Sequence, residues 1–338
     1  MKARTFSDVT IIPKFTCVGR NGSLATRLCN GEDSLELPII SANMPAIANA
    51  EVCDAMRYGG GMGILHRFNE VNEAVEEYNH ASFSGKSIVG VSLGVKNDDT
   101  YNRFEKLYEA GARVFCIDVA HGHQDKVHSL LKWINNQIFQ WARSERNKVT
   151  LIAGNVATAD AVIALGEWGA DIVKVGIGPG SACTTRLDTG VGVPQLYALE
   201  QAHNAVMQQK VPVKIISDGG CKCTGDIAKA LKYADAVMVG FMLAGTTETP
   251  GEYINVGGKQ MKVYFGSASF KNKGEKKHIE GRDFLVEKKG SISDVLDKIR
   301  DGLHSSLGYV GASNLQQFKN NCEFLDITAG GKAESKYE

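Results

Sequence analysis

With 338 residues, 43% of them hydrophobic and 22% charged, the chain is long enough to bury a large core as one big domain or two ordinary ones. Basic and acidic side chains each number 38, so net charge gives no pull towards nucleic acid or an anionic membrane surface. The eight cysteines, Cys17, Cys29, Cys53, Cys116, Cys183, Cys221, Cys223 and Cys322, lack the spacing of a disulfide scaffold or of paired zinc knuckles, which fits a reducing, cytoplasmic setting.

At the start of the chain residues 1–8 carry no apolar core, so no signal peptide is expected, and no apolar run nears the ~20 residues that span a bilayer. Eight short apolar runs then follow, at 38–43, 61–66, 88–94, 114–120, 150–155, 172–176, 213–218 and 236–240. Continuous hydrophobicity without strict alternation suits parallel strands buried on both faces, and the segments between them are long enough for crossover helices. The rhythm predicts an α/β fold, a TIM (β/α)8 barrel. Gly59, Gly111 and Gly169 stand where helix gives way to strand and are predicted as helix C-caps, where positive φ costs glycine little. Towards the end, Val295, Leu296, Ile299, Leu303 and Leu307 recur at helical spacing behind Ser293 and Asp294, which predicts an amphipathic helix over 293–307. The tail after Gly330 reads as disordered.

In such a barrel the residues just past each strand gather at the C-terminal rim, where barrel enzymes place their chemistry. Here they are Asn43, His66, Asp118, His121, Asn155, the loop around Cys183, Asp218-Gly219-Gly220, and residues 240–245. The run Gly176-Ile-Gly-Pro-Gly-Ser-Ala-Cys-Thr-Thr-Arg186 is the most pointed of them. Its glycines let a ligand approach the main chain, Pro179 stiffens the turn, and Ser181, Thr184, Thr185 and Arg186 surround the thiol with donors and one fixed positive charge. A buried structural cysteine is the commoner fate of that residue, but a core strand would not carry this composition. Glycine-rich loops after strands seven and eight commonly cradle a phosphate, which suggests a phosphorylated substrate; tight turning is the plainer alternative for Gly219, Gly220 and Gly240. From composition alone Glu280, in the charge-rich stretch 271–287, reads as part of a solvated loop, and Thr185 as a local turn cap. Cys221 and Cys223 form one isolated C-x-C, poor evidence for zinc, and read as packing or idle thiols.

GIGPGSACTTR at 176–186, SANM at 41–44, IDVAHGH at 117–123, AGNV at 153–156, SDGG at 217–220 and YVGA at 309–312 together resemble the IMP dehydrogenase and GMP reductase family along essentially the whole chain. Three features place the resemblance on its reductase branch. Residues 67–87 leave no room for the regulatory CBS insert most dehydrogenases carry, CTTR is followed by TGVGVPQL, and residues 264–281 lack the Arg-Tyr flap pair that activates water.

The resemblance implies one barrel domain over 1–338 with a mobile active-site loop at about 267–290, packed into a homotetramer. It implies NADPH-dependent reductive deamination of GMP to IMP and ammonia, a purine salvage step, through a covalent cysteine thioimidate. In it Cys183 is the nucleophile, with Thr185 and Glu280 as the coupled proton donor. Substrate contacts fall on Ser181, Asp218, Gly219, Gly220, Gly240, Phe241, Gly266, Ser267, Ala268, Lys277 and Gly281. Cofactor contacts fall on Arg20, His66, Asp118, Val119, Ala120, Ile177, Gly178 and Lys276, with Ser305, Ser306, Leu307 and Gly308 at the far end of the dinucleotide. Carbonyls of Gly178, Gly180 and Cys183 would hold a monovalent cation, usually potassium. Two other readings remain open: an IMP dehydrogenase without its regulatory domain, and a purine-nucleotide-binding barrel that has lost turnover.

Overall fold

A computed structural model of the chain describes residues 3–30, 34–82, 88–95, 99–141, 148–269 and 280–334. Its strands in chain order are β1 (Val9–Ile11), β2 (Ile39–Ser41), β3 (Gly63–Leu65), β4 (Val89–Leu93), β5 (Val114–Asp118), β6 (Thr150–Val156), β7 (Ile172–Val175), β8 (Lys214–Asp218), β9 (Ala236–Val239), β10 (Ile254–Val256), β11 (Lys259–Phe265), β12 (Asp283–Glu287) and β13 (Phe324–Asp326).

Strands β2 to β9 pair in parallel around a single sheet, in the order β2-β9-β8-β7-β6-β5-β4-β3. The ring closes where Ser41 N–H donates to the Met62 carbonyl at 2.9 Å and Met62 N–H to the Ile39 carbonyl at 3.0 Å. The predicted (β/α)8 barrel is therefore present, and each of the eight predicted apolar runs supplies one of its strands. Both faces of these strands are buried because helices cover the outside and side chains fill the inside. Ile40, Met62, Ile64, Val114, Cys116, Ile152, Ile172, Ile216 and Met238 form the interior cluster.

One end of the barrel is stoppered. Thr26 and Leu35 pair across a short antiparallel bridge, and this segment sends Leu28, Cys29 and Leu35 into the interior cluster. It is tied to the N-terminal ends of two strands: Lys214 Nζ donates to the Leu28 carbonyl at 2.8 Å, and Asn30 N–H to Thr150 Oγ1 at 2.7 Å. The opposite, C-terminal ends of the strands stay open.

Positive φ is found as expected at Gly111 and Gly169, at +106° and +98°, although Trp168 is the C-cap beside the latter; Gly59 is the C-cap of helix Ala50–Tyr58 as expected, without the positive φ. There φ is −79°, and the positive value of +79° falls on Gly60. Gly59 is small for a different reason: a Cβ on it would stand 2.2 Å from Leu296 Cδ1, so helix Ala50–Tyr58 and helix Ile292–Tyr309 touch at that point.

The C-terminal helix begins earlier than expected because its capping box is Ser291 with Asp294, and it runs to Tyr309. Leu296, Ile299, Leu303 and Leu307 are buried on its inner face, as their spacing predicted. Residues 331–333, expected to be disordered, belong to a short helix, Ala329–Ala333, capped by Thr328. Within the segment expected as a loop, Asp283–Glu287 is strand β12, paired with β11 in a small antiparallel sheet beside the barrel mouth.

Candidate active site

The loop after β7 carries Cys183 and rests on the loop after β8. Their contact is close: a Cβ on Gly176 would lie 2.0 Å from the Asp218 carbonyl oxygen, and φ there is +155°. Gly176→Ala is accordingly expected to lower stability on the order of 1–3 kcal/mol, visible as a lower Tm, because neither backbone has room to move without breaking strand pairing. An unchanged Tm would show that the two loops are not in contact.

Residues 280–282 run alongside the cysteine loop. Thr184 N–H donates to the Glu280 carbonyl at 3.1 Å and Arg282 N–H to the Ala182 carbonyl at 2.9 Å, with Cys183 and Gly281 bridged between them. This pairing fixes the side chains on either side of it. The Cys183 thiol donates to Thr185 Oγ1 at 3.2 Å, and the Thr185 hydroxyl donates to Glu280 Oε2 at 2.8 Å. A thiol, a hydroxyl and a carboxylate thus form one continuous chain along which a proton can pass. Thr185 also opens the short helix Thr185–Thr189, so its main chain is anchored while its hydroxyl serves the chain. Arg186 Nη2 donates to the Val193 carbonyl and, at 3.5 Å, to that of Ile177, tying the start of the loop to the segment that leads into the next helix.

Other predicted substrate residues gather around this centre. Gly266 faces Ala182, the Ser269 N–H donates to the Gly266 carbonyl at 3.0 Å, and Glu280 N–H donates to the Ala268 carbonyl at 3.2 Å, so 266–269 and 280–282 form one wall. Arg282 Nη2 donates to the Ser181 carbonyl at 3.2 Å. Gly219 and Gly220 both have φ of +87° and abut Pro179. Phe241 packs edge-on against Tyr264, with ring centroids 5.9 Å apart. The Tyr264 hydroxyl lies 3.0 Å from where a Cβ on Gly240 would stand, and its hydrogen-bond contact is with Met44 Sδ at 3.8 Å. Burial, followed by the charge of Asp218, keeps this phenol protonated.

On the cofactor side, His66 is half-buried above Arg103, which donates to the His66 carbonyl at 3.2 Å. Burial first, then the charge of Arg103, lowers the imidazole pKa from 6.5 to about 4, so His66 is neutral near pH 7. The unfolded chain binds a proton at His66 between those two values and the folded chain does not. Stability is therefore expected to fall as pH drops from 6.5 towards 4, by about 3 kcal/mol in full. Thermal melts of wild type and His66→Asn across that window check this; equal pH dependence of the two would refute it. Val119 N–H donates to the Gly154 carbonyl at 3.0 Å, placing the backbone of 119–120 against β6.

Arg20 lies 5.7 Å from the Tyr309 ring and packs on Gly308. With Ser306 it forms a separate group along residues 14–23 and the end of the long helix, where Ile11, Pro13, Ser306 and Tyr309 line a cavity of about 270 Å³. Lys276 and Lys277 lie outside the described residues. Among the described residues no cluster of three His, Cys, Asp or Glu side chains could hold a metal, and no helix is long and apolar enough to cross a membrane.

One central residue escapes sequence reasoning. Lys174, on β7, is 2% exposed and donates from Nζ to Asp118 Oδ1 at 2.9 Å and Asp218 Oδ2 at 3.1 Å. Burial alone would strip its proton, but Asp118 and then Asp218 hold it charged, above the ordinary lysine value. Burial would likewise push Asp118 up, yet Lys174 and Arg67 together outweigh it and hold that carboxyl below its usual range. Arg67 Nε also donates to the Asp118 carbonyl at 2.9 Å. The available signal was a single lysine in an otherwise apolar strand, with acids at the ends of two others.

Residues 3–338 match the protein family described as IMP dehydrogenase / GMP reductase domain. A protein of Paracidovorax citrulli named GMP reductase is 36% identical over 324 residues, covering 94% of each chain. Namesakes from Staphylococcus epidermidis and Streptococcus agalactiae are also 36% identical, covering 94% and 93% of this chain and 95% and 92% of their own lengths.

Proposed function

The chain belongs to the IMP dehydrogenase / GMP reductase domain family, and on that premise we propose that it reduces GMP to IMP and ammonia with NADPH, using Cys183 as nucleophile. The observation that carries this reading is the chain of hydrogen bonds from Cys183 through Thr185 to Glu280.

The route of the proton runs along that chain. The thiol proton passes to Thr185 as the Thr185 proton passes to Glu280, leaving a thiolate that attacks purine C2. Amide ion is too poor a leaving group to depart alone. Glu280, now neutral, returns its proton through Thr185, and the C2 amino group leaves as ammonia. One stored proton thus balances the step, and the sulfur remains bonded to C2 as a thioimidate. NADPH, when bound, supplies the hydride that reduces C2. Cleavage of the C–S bond then frees IMP, and the thiolate regains a proton from solvent.

Binding roles accord with the chemistry of each group. The nucleotide phosphate would sit on backbone N–H groups of Gly219, Gly220 and Gly240 with Ser181, joined by the Tyr264 hydroxyl, whose partner is otherwise only a thioether. Asp218 only accepts hydrogen bonds, which suits ribose hydroxyls and not phosphate. The base would lie between Cys183 and the wall formed by Gly266, Ser267, Ala268 and Gly281, with Phe241 packing nearby and Lys277 closing the set. His66 follows β3, Asp118, Val119 and Ala120 stand at the end of β5, and Ile177 and Gly178 follow β7, so a dinucleotide held by all of them would reach across the rim. A neutral imidazole and exposed backbone fit a nicotinamide better than a charged group would. Arg20 and residues 305–308 would take the far end of the dinucleotide, with Lys276 near its 2′-phosphate. The carbonyl of Gly180 already accepts the Cys183 N–H at 3.0 Å, which leaves a second lone pair for a potassium ion shared with Gly178 and Cys183.

The deciding assay tracks reduced-cofactor absorbance in two mixtures. Consumption with GMP and NADPH, and no formation with IMP and NAD, supports the reductase. The reverse result would make it a dehydrogenase, and retained GMP binding with no change in either would make it a silent nucleotide-binding barrel.

A further inference from the structure

We infer that Lys174 is a positioning residue that locks the nucleotide-side carboxylate Asp218 and the cofactor-side carboxylate Asp118 to each other, so that one buried cation sets the geometry of both binding sites. The inference rests on the assignment of Asp218 to GMP and Asp118 to the cofactor.

Lys174 has three protons on Nζ, and each has a partner: Asp118 Oδ1 at 2.9 Å, Asp218 Oδ2 at 3.1 Å and, more weakly, Asn43 Oδ1 at 3.4 Å. None is left for a ligand. Exposure divides the same way, since the lysine side chain is 2% exposed while Asp118 and Asp218 are 15% and 20% exposed. The cation is sealed behind two carboxylates that face the open mouth.

Each partner is also oriented from a second direction. Asn155 Nδ2 donates to Asp218 Oδ2 at 2.8 Å, so both contacts converge on that one oxygen and neither engages Oδ1. Arg67 Nε stands 3.7 Å from Asp118 Oδ2, and Asn43 Nδ2 donates to Ser92 Oγ at 2.8 Å. The charges around Lys174 are therefore Asp118 from β5, Asp218 from β8 and Arg67 beyond Asp118, with the thiol of Cys116, pushed up to about 12 chiefly by burial, beside them. Among the described residues of this cluster, no other group neutralises Asp218.

Without the lysine, Asp118 and Asp218 would share a poorly solvated site as like charges with nothing between them to hold their common orientation. Lys174→Met is thus expected to raise KM for GMP and for NADPH together, each by more than about tenfold. Lys174→Arg, which keeps the charge and can fork between two carboxylates, should bring both KM values back towards wild type in step.

Melting curves establish that each variant is folded. Should Lys174→Met fail to fold, the arginine variant carries the test by itself: both constants shifting in proportion supports the inference. One KM moving without the other, in either variant, or a folded Lys174→Met with both KM values unchanged, would overturn it. Wild type that fails to turn over GMP with NADPH would instead overturn the functional reading beneath it.

Discussion

Replacing Cys183 by alanine is expected to abolish reduction of GMP, by more than about 10⁴-fold, while GMP affinity stays within about tenfold of wild type. The two halves of that expectation come from different parts of the site. Without sulfur there is no nucleophile, and neither Thr185 nor Glu280 can replace it, because both are aligned to pass a proton. In the proposed reading binding would be spread over the phosphate loops, Asp218 and the wall at 266–269, none of which depends on the thiol. The residue is half-buried on a loop held by Cys183 N–H to the Gly180 carbonyl, a main-chain contact that alanine retains. Loss of turnover should therefore come without unfolding. Steady-state rates, calorimetric GMP titration and intact-mass analysis of the wild type under quench together check it; turnover surviving in Cys183→Ala would remove the covalent mechanism.

Glu280→Gln should slow ammonia release by ~10²–10⁴-fold, with little change in GMP binding. Glutamine keeps the shape of the side chain and can still accept from the Thr185 hydroxyl, now 2.8 Å from the carboxylate. It cannot store the thiol proton and hand it back. The backbone of Glu280, which pairs with Thr184 and Ala268, is untouched, so the wall beside Cys183 remains. Rapid-quench measurement of ammonia separates this step from hydride transfer. A variant that releases ammonia at the wild-type rate would show that the proton comes from elsewhere.

The barrel was legible because strands buried on both faces leave an uninterrupted apolar record, as at Gly63–Leu65 and Ala236–Val239. The small β10–β12 sheet was not. Ile254–Val256 is exposed throughout, and β11 and β12 each bury only part of one face, so hydrophobicity marks them weakly. Positions of the site residues in sequence could be tied together only by resemblance: nothing local in residues 280–282 says that they pair with residues 182–184, a contact between segments nearly a hundred positions apart. Lys174 was hidden for the opposite reason. It sits inside one of the clearest apolar runs, where burial is the natural expectation, and its two partners come from other strands.

The stopper built from Leu28, Cys29 and Leu35 completes an interior already filled by side chains, so the cylinder offers no passage from the N-terminal ends of its strands. Any ligand of Cys183 must then arrive and leave on the C-terminal side of the strands, where one reactant can lie across the path of another.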